Sequence, residues 1–133
     1  MLRALIAAAI YFACVFTLGI ALGALRVLVF APRFGETLAT AIEIPIMLGA
    51  AWFICLRTVR RCRVGPSVAS RSVMGSTAFV LLAMGEYALA VFAFNRTSSE
   101  YLSALQSTAG LIGFAAQIIF ASFPLLQLRL RAR

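Results

Sequence analysis

Four polar side chains lie inside otherwise apolar stretches of this chain: Arg26, Glu43, Glu86 and Gln117. A charged group is costly inside a membrane, so each needs either a partner or a function that requires it there. Two carboxylates and one guanidinium have the chemistry to form a buried ion pair, to relay protons or ions, or to hold an anion. The chain contains no histidine, so the commonest transition-metal ligand and general base is absent.

The elements that carry these residues are predicted to be transmembrane helices. The chain has 133 residues, of which 63% are hydrophobic and 12% are charged. Soluble domains are about half apolar and about a quarter charged, so this composition excludes the soluble class. We expect an all-α membrane bundle in one domain, 1–133. Its four transmembrane helices are predicted at about 4–31, 36–56, 73–94 and 105–128.

The arginines set the expected orientation of the bundle. An Arg-rich loop is predicted at 57–72 and both termini carry arginines, whereas Arg33 and Arg96 lie on the other side. The positive-inside rule therefore places this loop and both termini in the cytoplasm. Arginines at helix ends favour anionic lipid headgroups over nucleic acid as partners. The residues expected to contact these headgroups are Arg57, Arg60, Arg61, Arg63, Arg71, Arg129, Arg131 and Arg133.

Breaks and small residues shape the predicted helices. The segment APRFGE, with Pro32 and Gly35, is predicted to form the turn between the first two helices. Glu36 then opens the second helix, where the helix dipole favours a carboxylate. Pro45 lacks an N–H and is predicted to kink this helix. Close helix packing is predicted at four glycines, which are Gly19, Gly23, Gly110 and Gly113.

Helix geometry predicts that the polar side chains lie at similar depths. Arg26 and Glu43 should lie about 9 and 10 Å below the turn that connects the first two helices. Glu86 should lie about 13 Å below Asn95, at the same side of the membrane. Gln117 is expected nearer the middle of the bilayer, completing one buried polar cluster. This cluster has two interpretations. It is either an ionic lock that fixes helix packing, or a proton or ion relay in which the glutamates couple to transport beside Arg26 as counter-ion or anion site.

The segments FAPRFGE and IEIPIMLGAAW resemble uncharacterised four-helix inner-membrane proteins of proteobacteria. This resemblance covers most of the chain and implies a bacterial inner membrane, but it implies no activity. Our leading hypothesis is a non-catalytic structural or accessory subunit that associates with itself or with other membrane subunits. The alternative is a small oligomeric transporter or channel. An enzyme would need a carboxylate mechanism or a borrowed cofactor, and we expect no enzymatic activity, cofactor or metal.

Overall fold

The computed structural model describes residues 1–131, which fold almost entirely into helices. In chain order the helices are α1 Leu2–Phe34, α2 Glu36–Arg61, α3 Val68–Ala93, α4 Ser98–Leu105 and α5 Thr108–Arg131. The four longer helices are long and apolar enough to cross a membrane. The predicted all-α fold, with four helices of membrane-spanning length, is confirmed.

The four long helices form a ring in which each packs against two others. Helix α1 packs against α2 and α3, and α5 packs against the same two helices. Because the chain runs up and down through this ring, the N-terminus, the α2–α3 connection and the last turn of α5 lie at one end. We call this the basic end, and the opposite end, which carries the Gly35 turn and α4, the distal end.

The helices around the α2–α3 connection are longer than predicted. Helix α2 ends at Arg61 and α3 begins at Val68, so the predicted loop 57–72 contracts to residues 62–67. Arginine is a strong helix former, which allows α2 to continue beyond its apolar part. The arginines at 57, 60 and 61 therefore project from a helix and not from a loop.

The turn between α1 and α2 is also shorter than predicted. Helix α1 continues through Pro32 to Phe34, and Gly35 alone leaves the helical conformation, with a φ of 83°. That φ is readily accessible only to glycine. Pro32 closely follows a π-helical segment, Arg26–Phe30. There the backbone already departs from the regular α-helical hydrogen bonds, to which proline, lacking an N–H, could not contribute. A proline is therefore tolerated inside α1.

Helix α4 was not predicted, and it separates the polar link after α3 from α5. The Thr97 side chain accepts a hydrogen bond of 3.1 Å from the Glu100 N–H and so caps the helix. The sequence TSSE has the spacing of a capping box, which is a signal for a helix start. Because α4 occupies residues up to Leu105, α5 begins only at Thr108.

Buried side chains concentrate near the basic end. We define the basic half of the bundle as residues 2–15, 51–82 and 120–131, and the distal half as residues 16–50 and 83–119. Within the described residues, the distal half contains three buried side chains, those of Ala39, Thr40 and Ala90. The rest of the buried core lies in the basic half.

Two contacts illustrate how tightly the basic half is packed. The rings of Tyr11 and Phe120 stack across the ring of helices with their centroids 4.3 Å apart. The Tyr11 hydroxyl also donates a 3.0 Å hydrogen bond to the Phe120 carbonyl. At Gly75, an added Cβ would overlap the Ala121 carbonyl oxygen, so α3 and α5 make backbone contact there. Small residues allow such contact between helices in lipid.

Candidate functional site

An ion pair joins α1 to α2 in the distal half. Arg26 Nε lies 2.7 Å from Glu43 Oε2, although the N–H bond is not directed along this contact. Arg26 Nη1 donates a 3.3 Å hydrogen bond to Thr40 Oγ1, which itself donates to the Glu36 carbonyl. The guanidinium therefore contacts two successive turns of α2. This fits the sequence expectation that Arg26 pairs with at least one of the buried glutamates.

A second polar contact joins α3 to α5 at the same half of the bundle. The Gln117 amide donates a hydrogen bond from Nε2 to Glu86 Oε2, with the two atoms 2.5 Å apart. Both side chains are half-buried. Glu86 thus has a neutral partner, whereas the other intramembrane glutamate has a cationic one.

The four polar residues form two pairs that interact through space. Glu86 lies within electrostatic range of Arg26 and Glu43. Within residues 1–131, however, the ion pair between Arg26 and Glu43 is the only one. The structure thus brings the predicted cluster together as two contacts, one on each side of the ring.

The surroundings of the cluster are open. The side chains of Arg26 and Glu43 retain 26% and 16% of their accessible surface. Large apolar side chains of this half point outwards, including Leu28 and Phe92, which are 77% and 81% exposed. The carboxylates are therefore not sealed in a dry core. Chemically, the cluster supplies one cation and two carboxylates in a part of the bundle that has few buried side chains.

Helix α4 covers the distal end next to this cluster. The Tyr87 hydroxyl hydrogen-bonds the Ser98 hydroxyl, and the Tyr87 and Tyr101 rings pack edge to face at 5.3 Å. Burial and then the nearby charge of Glu86 raise the pKa of Tyr101 above its usual value. Through these contacts with Tyr87, the neighbour of Glu86 in the sequence, α4 borders the Glu86–Gln117 pair.

The predicted kink and packing glycines have mixed outcomes. Pro45 lies on an exposed face of α2, which remains helical from Glu36 to Arg61, so a kink there stays a prediction. A Cβ at Gly19 would make ordinary contact with Met47, and one at Gly23 would only touch Arg26.

The other two predicted packing glycines differ from each other. Gly113 faces open space, whereas an added Cβ at Gly110 would overlap the Ala104 carbonyl oxygen, so α5 packs closely against the end of α4 there. The close approaches between long helices lie instead at Gly75, against Ala121, and at Gly85, against the rings of Phe12 and Phe16. A glycine in the sequence does not reveal which face of its helix is in contact.

The arginines of the basic end are exposed, with one exception. Arg57, Arg60, Arg61, Arg63, Arg129 and Arg131 are accessible at this end. Arg71 is only 3% exposed and donates a 3.2 Å hydrogen bond from Nε to the Gly65 carbonyl. Its predicted contact with lipid headgroups is therefore wrong, because the side chain folds back onto the α2–α3 connection. Arg133 lies outside the described residues.

No protein-family model, curated protein or solved structure matches this chain. Among residues 1–131, no three His, Cys, Asp or Glu side chains are grouped in a way that would hold a metal ion.

Proposed function

We propose that the chain is a non-catalytic multi-pass protein of a bacterial inner membrane, with both termini cytoplasmic, that acts as an accessory subunit of a membrane complex. The observation that carries this proposal is the internal pairing of the polar cluster. Arg26 binds Glu43, and Glu86 binds Gln117, so each pair joins two helices. Polar contacts of this kind fix the arrangement of helices without requiring a substrate.

The distal half supports a role in association. It combines half-exposed charges with outward apolar side chains and has almost no buried core. Lipid tails cannot solvate the partly exposed guanidinium of Arg26, whereas a second membrane protein or a second copy of this chain can cover it. The basic half is already packed and has no comparable need for a partner.

Site-specific photo-crosslinking in the native membrane tests this proposal. Phe92 and Phe53 are exposed aromatic residues, 81% and 67% accessible, in the distal and basic halves respectively. A photoreactive phenylalanine analogue at position 92 should give a discrete protein adduct, and the same analogue at position 53 should label lipid alone. If position 92 gives no protein adduct, the accessory role in the distal half is wrong.

A second candidate function is a small oligomeric transporter or channel. The observation that favours it is that Glu86, in an open half of the bundle, has an amide and not a cation as its direct partner. In this proposal Glu43 and Glu86 couple to a proton or cation, and Arg26 is the counter-ion.

Proton and cation flux into proteoliposomes tests the transport proposal. Glu86→Gln should abolish the flux, whereas Glu100→Gln, at an exposed position in α4, should leave it unchanged. Wild-type protein that gives no more flux than empty liposomes would rule transport out.

A further inference from the structure

The basic end carries arginines that form no salt bridge within residues 1–131. All four glutamates lie in the distal half, at positions 36, 43, 86 and 100. The ion pair between Arg26 and Glu43, the only one among residues 1–131, also lies there. Among residues 1–131, the exposed arginines of the basic end therefore form no ion pair with a glutamate. A surface charge of one sign attracts anions from its surroundings.

Two of these arginines line the same cavity. Arg3, in the first turn of α1, and Arg63, in the α2–α3 connection, border a cavity of about 460 Å³. Gly65 and Ser70 contribute to its wall. The cavity is open at the surface, and its lining includes one arginine from each of two separate parts of the chain.

The loop that presents Arg63 is held in a defined conformation. Arg63 has a φ of 52°, in the left-handed region. Directly after it, the Val64 N–H donates a 3.1 Å hydrogen bond to the Val59 carbonyl. Arg71, buried beneath the loop, binds the Gly65 carbonyl. Because the backbone is anchored by these bonds, little further ordering of the loop is needed when a ligand binds.

The depth of the cavity indicates which ligand it would meet. The apolar run of α1 begins directly after Arg3, so this residue lies at the edge of the hydrocarbon layer when α1 crosses a bilayer. Phosphate groups are found at that level, and guanidinium groups bind phosphate through paired hydrogen bonds. We propose that the cavity between Arg3 and Arg63 is a binding site for a phosphate group, supplied by an anionic lipid headgroup or by free phosphate.

Two double variants of equal charge test this site. Arg3→Gln with Arg63→Asn removes both cavity arginines, and asparagine tolerates the left-handed backbone at position 63. Arg129→Gln with Arg131→Gln removes two exposed arginines from the last turn of α5, outside the cavity lining. Binding of phosphatidylglycerol to the full chain in detergent is measured by native mass spectrometry. Binding of inorganic phosphate is measured by titration calorimetry.

The cavity variant should bind phosphatidylglycerol about tenfold more weakly than the α5 variant, because charge-assisted hydrogen bonds are lost as well as charge. If the protein binds phosphatidylglycerol but not inorganic phosphate, the ligand is a lipid headgroup. If it binds inorganic phosphate and only the cavity variant loses this binding, the ligand is free phosphate. Equal weakening in both double variants overturns the proposal, as does binding of neither ligand. Arg3→Gln alone leaves the loop intact, and it should produce a smaller loss of the same kind even if the double variant fails to fold.

Discussion

The basic and distal halves of the bundle use the same four helices but hold them together differently. In the basic half, Tyr11 stacks on Phe120 and Gly75 allows backbone contact with α5. In the distal half, two polar contacts join the helices where the buried core is almost absent. Lipid offers helices little hydrophobic reason to associate, so they depend on close packing or on polar contacts. The distal half relies mainly on polar contacts, whereas the basic half combines close packing with interhelical hydrogen bonds from Tyr11 and Gln127.

The π-helical segments follow the same division. Both of them, Arg26–Phe30 and Leu89–Ala93, lie in the distal half. A π-helical turn departs from regular helical hydrogen bonding and is frequent at functional sites. The distal half therefore combines the intramembrane polar side chains with both π-helical segments.

The largest expected effect comes from breaking the close contact in the basic half. Gly75→Leu places a side chain where the Ala121 carbonyl already lies, and it should destabilise the bundle by about 3 kcal/mol. Thermal unfolding in detergent measures this loss. Gly113→Ala is the matched control, because a Cβ there meets open space and should change stability little. Similar unfolding temperatures for the two variants would contradict the proposed role of the Gly75 contact.

The next largest effect should come from the ion pair of the distal half. Arg26→Leu leaves the Glu43 carboxylate without its cation and should cost about 2 kcal/mol, since both groups are only half-buried. Adding Glu43→Leu should recover most of this loss, which a double-mutant cycle measures. If the two substitutions are simply additive, the pair does not lock the helices.

A smaller effect is expected at the second polar pair. Gln117→Leu removes the donor to Glu86 and should destabilise the bundle by about 1 kcal/mol. Gln106→Leu, at an exposed position before α5, is the control and should be nearly neutral. Chemical denaturation of both variants checks the difference. Equal effects would show that the Gln117–Glu86 contact adds nothing to stability.

The smallest effect concerns the pKa of Tyr101, which burial and the charge of Glu86 raise. The neutral phenol is favoured in the folded state, so its stabilising contribution is complete below the ordinary tyrosine pKa of about 10 and is lost as pH rises through the folded pKa. In a Tyr11→Phe, Tyr87→Phe background, Glu86→Gln should lower the pKa of Tyr101 part of the way towards its ordinary value. Absorbance titration checks this shift, and an unchanged pKa would separate α4 from the polar site.

The sequence predicted the long helices because hydropathy depends on local residues, and helical rise allowed it to anticipate that Arg26 pairs with a glutamate. The depth of these side chains in a bilayer stays a prediction. The sequence could not show that Glu86 turns to Gln117, since that depends on the order of helices around the ring and on their rotation. The burial of Arg71 was missed for a related reason: only the folded loop provides the Gly65 carbonyl that the side chain binds.

We infer that polar pairing, and not apolar packing, holds the distal half together. Hydrogen–deuterium exchange of the wild type and of Arg26→Leu in detergent tests it most directly. Exchange should accelerate in the distal half, most strongly in residues 26–34 and 36–47, while the amides around Tyr11 and Phe120 keep their protection. Adding Glu43→Leu should restore much of the protection. An Arg26→Leu variant in which exchange is unchanged, or rises equally in both halves, would contradict the account.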